Sequence, residues 1–371
     1  MHSKVQISAA GSGKTTGIVL EALMSDKKIL ILTYTNENIA VIRSRFIERN
    51  GILPSNVTVQ SWFSFLLKEW VRPFQPLLFN SKTIATLNFE PIAENLKRVP
   101  ESNTSTYFFT KSGKIYKDRI SNFAFKCNLK ADGIVIERLQ KMYDKIYIDE
   151  VQDMSGWDLE LLEALIDDKG IEVTFVGDIR QATYSTNNST KNSQFKGAKI
   201  INWFIKKEKE GKCTLVFNKN CHRCNQLICD FADLLYPNIS EKTISYNYEK
   251  TGHDGIFFVP PELVANYIEE YQPKILKHSI KVKTLGSNAI NFGQSKGHTF
   301  DRVLMYPTDT ITSYLKDGKL EKIKAGKIEQ AFDIAKLYVA LTRARYSVAI
   351  VFEGNSFFSG IGTYSLTPLL Q

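Results

Sequence analysis

The sequence predicts an α/β protein in which parallel strands alternate with helices, and three stretches carry that expectation. A short apolar run, Val5-Gln6-Ile7, leads into Ser8-Ala9-Ala10-Gly11-Ser12-Gly13-Lys14-Thr15-Thr16, and an amphipathic segment with Ile18, Val19, Leu20, Ala22 and Leu23 follows. Ile29-Leu30-Ile31-Leu32 is a continuous apolar run of the kind a strand buried on both faces needs. Ile146-Tyr147-Ile148 is another, and it ends in the adjacent carboxylates Asp149 and Glu150.

The glycine-bearing turn reads as a phosphate-binding loop. Gly11 and Gly13 let consecutive backbone N–H groups turn inward around phosphate oxygens, with Ser12 between them. Lys14 can reach the β/γ-phosphates, and the Thr15 hydroxyl, next to Thr16, can hold Mg²⁺ at a helix N-terminus. Ser8 stands where the general pattern has its first glycine, so a Gly/Ser-rich surface turn is the alternative. The strand before the loop and the helix after it favour the phosphate reading.

Composition limits the remaining classes. A chain of 371 residues, 43% of them hydrophobic, buries more than one core, and two or three domains are expected. No apolar run is long enough to span a bilayer, and Met1 lies too close to the loop for a signal peptide, so a cytoplasmic protein without a membrane partner is expected. The net charge of +9 favours a polyanion, with nucleic acid ahead of an acidic membrane surface. Five cysteines fit a reducing compartment. Cys221 and Cys224 bracket His222, with Cys213 and Cys229 nearby, which is a conceivable zinc set. Leu227, Ile228 and Phe231 continue that segment as a helix, however, and a core role for the thiols is preferred.

Taken in order, the strand at Ile29–Leu32 ends in Thr33-Tyr34-Thr35-Asn36, and a helix follows with Ile39, Ala40, Ile42, Phe46 and Ile47 on one face. An aromatic in the turn at a strand's C-terminal end stands where α/β sheets bind ligands. Tyr34 is therefore either a stacking surface for a base or a half-buried turn aromatic. Val57-Thr58-Val59 is a short strand, and Gln60 to Trp70, including Trp62, reads as an aromatic-rich helix whose Phe and Trp residues are mostly assigned to the core. Between Arg72-Pro73 and Ala131-Asp132-Gly133 the periodicity weakens, so this stretch looks inserted. Within it, Lys111 to Arg119 reads as a basic hairpin tip, suited to a nucleic-acid backbone or equally to an ordinary solvated turn.

Asp149 and Glu150 supply what a phosphate loop lacks for hydrolysis: Asp149 would bind Mg²⁺, and Glu150 would orient and deprotonate water. Val173 to Gly177 is a further strand, followed by Asp178, by Gln181 placed to sense a γ-phosphate, and by Tyr184. Residues 185–198, rich in Ser, Asn, Thr and Lys, read as a linker. Beyond it come strands at Leu215–Phe217, Ile256–Val259, Ile280–Lys283, Val303–Met305 and Val348–Phe352, with helices ending near Leu235 and running from Leu337 to Arg345. The expected partition is residues 1–70 with 132–190 as a first lobe, 71–131 as an inserted subdomain, and 191–371 as a second lobe.

In this order the segments resemble the UvrD/Rep-type superfamily 1 helicases over nearly the whole chain. The ordered set carries the resemblance: the phosphate loop, Thr33 to Asn36, Thr58 to Trp62, Asp149 to Asp153, Gly177-Asp178 with Gln181 and Tyr184, His222-Arg223-Cys224, Ser295-Lys296-Gly297, and Tyr338 to Ala344. It implies two RecA-like P-loop lobes that close on ATP and Mg²⁺ while single-stranded or partly duplex DNA lies across both. Lys14, Thr15, Asp149, Glu150 and Gln181 would then act from the first lobe, and Arg223 and Arg343 would act as arginine fingers from the second. His222, Lys296 and Gly297 match nucleotide-binding positions. Tyr34, Asn36, Gln60, Trp62 and Tyr184 match the nucleic-acid side, and the implied activity is 3′ to 5′ translocation or unwinding.

Several positions depart from that family. Little chain precedes the loop to carry the glutamine motif that recognises adenine, and His222 replaces a tyrosine that stacks on it. Thr186 and Asn187 replace an aromatic and an arginine, and Thr299 stands in place of a glutamate. Only about Pro237 to Lys283 lies where the family carries its large 2B subdomain, so 2B is expected to be absent or vestigial. Compact relatives accompany nucleases in antiviral systems such as Gabija. The alternative is therefore a nucleic-acid-sensing ATPase subunit that gates a partner nuclease.

Overall fold

The apolar runs become the centres of two parallel sheets. The structure, a computed structural model, describes residues 3–80, 83–167, 170–239, 241–279, 281–285 and 288–366. The chain forms two compact units: Met1–Ile7 with Lys14–Phe217, and Ser8–Gly13 with Asn218–Gln371.

Unit 1 holds β1 (Ser3–Ser8), α1 (Lys14–Leu23), β2 (Ile29–Thr33), α2 (Asn36–Asn50), β3 (Val57–Ser61) and α3 (Trp62–Phe65), which continues as a π-helical turn over Leu66–Val71. After β4 (Leu87–Asn88), α4 (Glu94–Lys97), α5 (Thr104–Phe108), β5 (Ile115–Tyr116), α6 (Ile120–Lys130) and α7 (Ile134–Met142) come β6 (Lys145–Asp149), α8 (Asp158–Asp167), β7 (Glu172–Gly177), α9 (Ile200–Lys209) and β8 (Cys213–Asn218). The main sheet has the order β3-β2-β6-β7-β1-β8. From β3 to β1 the strands run parallel, with Thr33 opposite Ser61, Asp149 opposite Val176 and Ile7 opposite Gly177. One sheet edge therefore collects the C-terminal ends that carry the phosphate loop, Tyr34, Asp149 and Asp178.

Side chains alternate across a strand, so a continuous apolar run serves two cores. Leu30, Leu32, Ile146, Ile148 and Phe175 join one core with Trp62, Phe65 and Trp70. Ile29, Ile31 and Tyr147 join the other with Ile18, Val19, Ile42 and Phe46 of α1 and α2. The apolar face of α2 is narrower than its pattern suggests, since Ala40 and Ile47 are exposed. Thr35 caps that helix by accepting from Asn38 N–H at 3.1 Å, and Gly51 at φ 77° ends it.

The stretch between 71 and 131 buries Ile84, Phe108, Phe109, Ile115 and Phe123 in the same core as α3 and α8. Its basic turn is tight: Thr110 N–H donates to Lys114 O at 2.9 Å, and Lys111 and Lys114 are exposed. Arg119 departs from the expected basic tip. Its guanidinium lies 3.9 Å from the Tyr107 ring centroid and donates to Leu96 O at 3.0 Å, so it is spent inside the unit.

Residues 185–198 were expected as a linker, yet Thr186 and Asn187 are buried there. Ile200, Trp203 and Phe204 of α9 also join the unit 1 core, and the units divide between Phe217 and Asn218. Polar composition was a poor guide because these hydroxyl and amide groups are satisfied internally, as described below.

Unit 2 holds β9 (Asn220–Cys221), α10 (Gln226–Asp233), β10 (Ile244–Ser245), β11 (Gly255–Val259), α11 (Val264–Tyr271), β12 (Lys274–Lys277), β13 (Ile290–Asn291) and β14 (Phe300–Tyr306). It continues with α12 (Asp309–Asp317), the hairpin β15 (Glu321–Lys324) and β16 (Lys327–Gln330), α13 (Ile334–Leu341), β17 (Ala344–Val351) and β18 (Gly362–Thr363). Its main sheet has the order β13-β12-β14-β17-β11-β18, with parallel pairing throughout. Between Pro237 and Lys283, β11, α11 and β12 are elements of this lobe's own fold.

Two expectations change in unit 2. Of the strand read at 280–283, Ile280 lies outside the described residues, and Lys281 to Lys283 form no strand. The sheet instead takes Lys274–Lys277, whose Ile275 and Leu276 are buried, so the alternation of the later run was misleading. The helix read through Arg345 ends at Leu341, and Ala344 already begins β17. Thr342 Oγ1 turns back to donate to Tyr338 O at 2.8 Å, occupying a carbonyl at the helix end. Among the described residues, no helix is long and apolar enough to cross a membrane.

Candidate nucleotide and nucleic-acid site

α1 begins at Lys14, which puts Lys14 and Thr15 at a helix N-terminus, where backbone N–H groups and the helix dipole favour an anion. Thr15 Oγ1 donates to Asp149 Oδ2 at 3.1 Å, joining the start of α1 to the end of β6. Asp149 is 3% exposed, and burial, then the neighbouring Glu150 charge, raises its carboxyl pKa above the usual range. The Lys14 charge, the Thr15 hydroxyl and the Glu150 N–H, 3.0 Å from Oδ1, oppose that rise. A buried carboxylate and a hydroxyl that already meet are a donor set for a hard divalent cation such as Mg²⁺.

The loop also fits a phosphate. Gly13 has φ 79° and open space where a Cβ would stand, and the buried Ser12 Oγ has no hydrogen-bond partner. Thr16 Oγ1 accepts a hydrogen bond from Arg45 of α2.

Glu150 has φ 60°, a left-handed backbone that costs a non-glycine residue of order 1–3 kcal/mol. Its carboxylate accepts from Gln152 Nε2, and Gln152 Oε1 accepts from Asp178 N–H at 3.1 Å. A Cβ on Gly177 would stand 2.4 Å from that Oε1, which explains the glycine there. Gln152 was not singled out from the sequence. It stands inside the acidic box, but residue type alone does not reveal both partners of a buried amide.

Gln181 is 5% exposed, and its Nε2 donates to Asp178 Oδ2 at 2.8 Å. Asp178 Oδ1 in turn accepts from Arg180 N–H at 3.1 Å. Gln181 is thus held on the strand-end aspartate.

The first six loop residues, Ser8–Gly13, belong to unit 2. Ala9 N–H donates to Asn218 O at 2.8 Å, Ala10 N–H to Tyr338 Oη at 3.4 Å, and His222 N–H to Gly11 O at 2.9 Å. Gly11 has φ 70°, and an added Cβ would stand 2.6 Å from Arg223 Cβ, so both backbone and space require glycine. The exposed His222 ring lies 5.2 Å from Tyr246, which is 46% exposed. Tyr246 is a second aromatic that sequence reading missed; parallel pairing of β9 and β10 brings it beside His222.

Arg223 Nη1 donates to Thr342 O at 2.9 Å. Arg343 is 2% exposed and donates to Val339 O at 3.0 Å, His298 O at 3.4 Å and Thr342 Oγ1 at 3.4 Å. The two arginines therefore meet at Thr342, and the Arg343 guanidinium is turned into its own unit. Lys296 and the exposed Gly297, at φ 90°, follow a short 3-10 turn over Gly293–Ser295, and Thr299 is exposed. The five cysteines are free and buried in the cores.

A family model described as an AAA domain matches residues 2–187, just over half of the chain. The chain belongs to the AAA-domain family. No curated protein matches it. Among solved structures, it is similar to the helicase nonstructural protein 10 of an arterivirus, with 14% identity and a TM-score of 0.47, over 94% of this chain and 59% of that one. The arterivirus protein in complex with DNA gives 14% and 0.47 over 96% and 63%. The PRRSV helicase gives 15% and 0.45 over 94% and 52%. The chain thus spans between half and two thirds of the length of these structures.

In this AAA-domain protein the residues expected on the nucleic-acid side separate into exposed and buried ones. Tyr34 is half-buried, its ring 6.1 Å from that of Tyr184, which is 39% exposed. Burial, and then Asp153, Asp158 and Asp118, push the Tyr34 hydroxyl up to about 12, so its ring stays neutral. Asn36 is exposed at the first position of α2. Gln60 is 9% exposed, and its Nε2 has no hydrogen-bond partner.

Trp62 is a correction. It is fully buried, and its indole N–H donates to Asp158 Oδ1 at 2.7 Å, so it presents no face to a base. Asp158 also accepts from Ser121 Oγ at 2.5 Å, from Asn187 Nδ2 at 3.1 Å and from Thr186 Oγ1. Thr186 and Asn187 are thus structural here, gathered with Trp62 on one buried carboxylate.

Proposed function

We propose that this AAA-domain protein is a DNA-stimulated ATPase of the UvrD/Rep superfamily 1 helicase type that moves 3′ to 5′ along single-stranded DNA. The observation that carries the reading is the Thr15 to Asp149 hydrogen bond, which brings two Mg²⁺ donors together beside Lys14 and Glu150. In this reading Lys14 binds the β/γ-phosphates, Thr15 and Asp149 hold Mg²⁺, and Glu150, aimed by Gln152, takes the proton from the attacking water. Bound Mg²⁺ would supply charge neutralisation as the phosphoryl group transfers. Gln181 reports on the γ-phosphate from Asp178. Arg223, and Arg343 once it leaves its bonds to Val339 O, His298 O and Thr342 Oγ1, answer charge that develops in the transition state, a contribution of roughly 10³ to 10⁵ in rate when an arginine is fully delivered.

The nucleobase rests on His222, with Tyr246 beside it. Aromatic stacking uses a π-face that every base offers, so base selectivity is loose. Tyr34 and Tyr184 stack on bases of the strand, each worth roughly 1–3 kcal/mol without reading sequence.

The test is hydrolysis by the full chain with and without single-stranded DNA or RNA, followed by strand displacement. Stimulated hydrolysis with directional movement is expected. Stimulation without displacement, restored to nuclease activity by a co-purifying protein, would favour the gating subunit. Hydrolysis indifferent to every nucleic acid would remove the reading.

A further inference from the structure

Phe89 directly follows β4 and is 61% exposed. Its ring is nevertheless held. Its centroid lies 5.9 Å from that of Phe63, with the planes at 81°, an edge-to-face contact. Phe63 is 5% exposed and lies 5.8 Å from Tyr34 at 61°. Tyr34 in turn lies 6.1 Å from Tyr184 at 40°. Four rings from four separate stretches of unit 1 thus form an unbroken row, with an exposed ring at either end. Beside the row, Gln60 stands three residues before Phe63 and pairs in register with Leu32, two residues before Tyr34. Its buried Nε2 is without a partner.

We propose that Phe89 is a second base-stacking platform, so that one single strand of nucleic acid lies over Tyr184 and Tyr34 at one end of the row and over Phe89 at the other. This rests on the single-strand-binding reading given above. Phe63 touches no base; it is the buried spacer that fixes the separation of the platforms. Phe89 is two ring contacts from Tyr34, so the platforms serve different nucleotides of one strand. A phenyl ring offers only a π-face, which every base can use, and the preference is therefore for unpaired strand over sequence.

Lys117, whose N–H donates to Asn88 O at 3.0 Å, pairs with Asp118 at 2.7 Å, so this acid near Phe89 carries its own counter-charge.

The experiment titrates the full chain with fluorescein-labelled oligothymidylates, one too short to extend past Tyr34 and one long enough to reach Phe89. Phe89→Ala should weaken the long oligomer roughly tenfold and leave the short one nearly unchanged. Phe89→Trp should keep the long-oligomer affinity and show tryptophan quenching on saturation that exceeds the wild type's. Unchanged affinity of Phe89→Ala for both lengths, or a Phe89→Trp signal indifferent to the long oligomer, overturns the proposal. If wild type binds neither oligomer, the single-strand reading falls and this inference with it, an outcome distinct from failure of Phe89 alone.

Discussion

Gln152 ties the carboxylate of Glu150 to the backbone of Asp178, its Nε2 donating to the first and its Oε1 accepting from the second at 3.1 Å. A single buried amide thus spans the ends of β6 and β7 and restrains a glutamate whose backbone is left-handed. If Glu150 is the base, its aim depends on a residue that never touches nucleotide. Gln152→Ala should lower turnover by about 10²-fold with little change in nucleotide affinity, since misplacement of a reacting group by an ångström has that scale of effect. Gln152→Glu should do no better, because it sets a like charge against Glu150. Turnover at saturating nucleotide, with binding measured separately, decides it; a rise in the Michaelis constant alone would count against the positioning role.

Lys14→Ala and Glu150→Gln should both abolish hydrolysis, for different reasons. Loss of the lysine removes a cation from the β/γ-phosphates and weakens nucleotide binding, whereas Glu150→Gln should bind ATP and trap it. Equilibrium binding and turnover of the two variants separate these outcomes. Normal turnover in Glu150→Gln would remove the assigned base.

Asp149 makes the free protein's stability depend on pH. Its carboxyl pKa is raised by burial and by Glu150, so the folded state holds the proton over a range in which the unfolded chain has lost it. The contribution is fully present below the ordinary aspartate value of about 3.9 and is lost as pH rises through the raised one. Asp149→Asn should therefore flatten the pH dependence of unfolding and raise the nucleotide-free melting temperature at neutral pH, while removing stabilisation by Mg²⁺ with nucleotide. Thermal melts across that pH range, with and without Mg²⁺ and ATP, test both halves. A melting temperature for Asp149→Asn below wild type at neutral pH would contradict the linkage.

The two arginines should behave differently because they are used differently in unit 2. Arg223 makes one bond to Thr342 O, so Arg223→Ala should lower turnover more than affinity and cost little stability. Arg343 is buried on three acceptors, so Arg343→Ala should lower turnover and destabilise by about 3 kcal/mol or more as those acceptors lose their charged donor. Steady-state kinetics with denaturant unfolding would show this. Equal stability losses for both variants would mean that the different bonding is inconsequential.

Tyr34→Ala and Tyr184→Ala should each weaken single-stranded DNA binding roughly tenfold and blunt DNA-stimulated hydrolysis, with affinity falling steeply as salt rises. Trp62→Phe is the contrast. It removes an indole donor from the buried Asp158, so it should cost about 1–3 kcal/mol of folding stability without a matching loss of DNA affinity beyond it. Titrations at two salt concentrations beside unfolding curves make the comparison. A selective DNA defect in Trp62→Phe would return that residue to the interface.

Local patterns were legible where chemistry and chain order coincide. The loop glycines, Lys14 and Thr15 are adjacent, and continuous apolar runs announce strands buried on both faces, so the sheet edge bearing Asp149 and Asp178 followed from β1, β6 and β7. Buried polar partnerships were not legible. Trp62 matched an interface position, and Thr186 and Asn187 stood only as departures from the family's contacts, but all three spend hydrogen-bonding groups on Asp158, which is remote from them in the chain. Composition misled at Thr186 and Asn187 for the same reason.

By itself, the sequence determined the α/β class, the phosphate loop and the order of the acidic and basic groups, because those rest on adjacency and on the period of apolar residues. Tertiary structure alone decided that Gln152 bonds Glu150, that Tyr246 stands beside His222, that Trp62 faces inward, and that Phe89 continues the row of rings through Phe63 from Tyr34. A buried amide, ring or carboxylate takes whatever partner the packing brings within hydrogen-bond or contact distance, and that choice is made by chain segments that are remote in sequence.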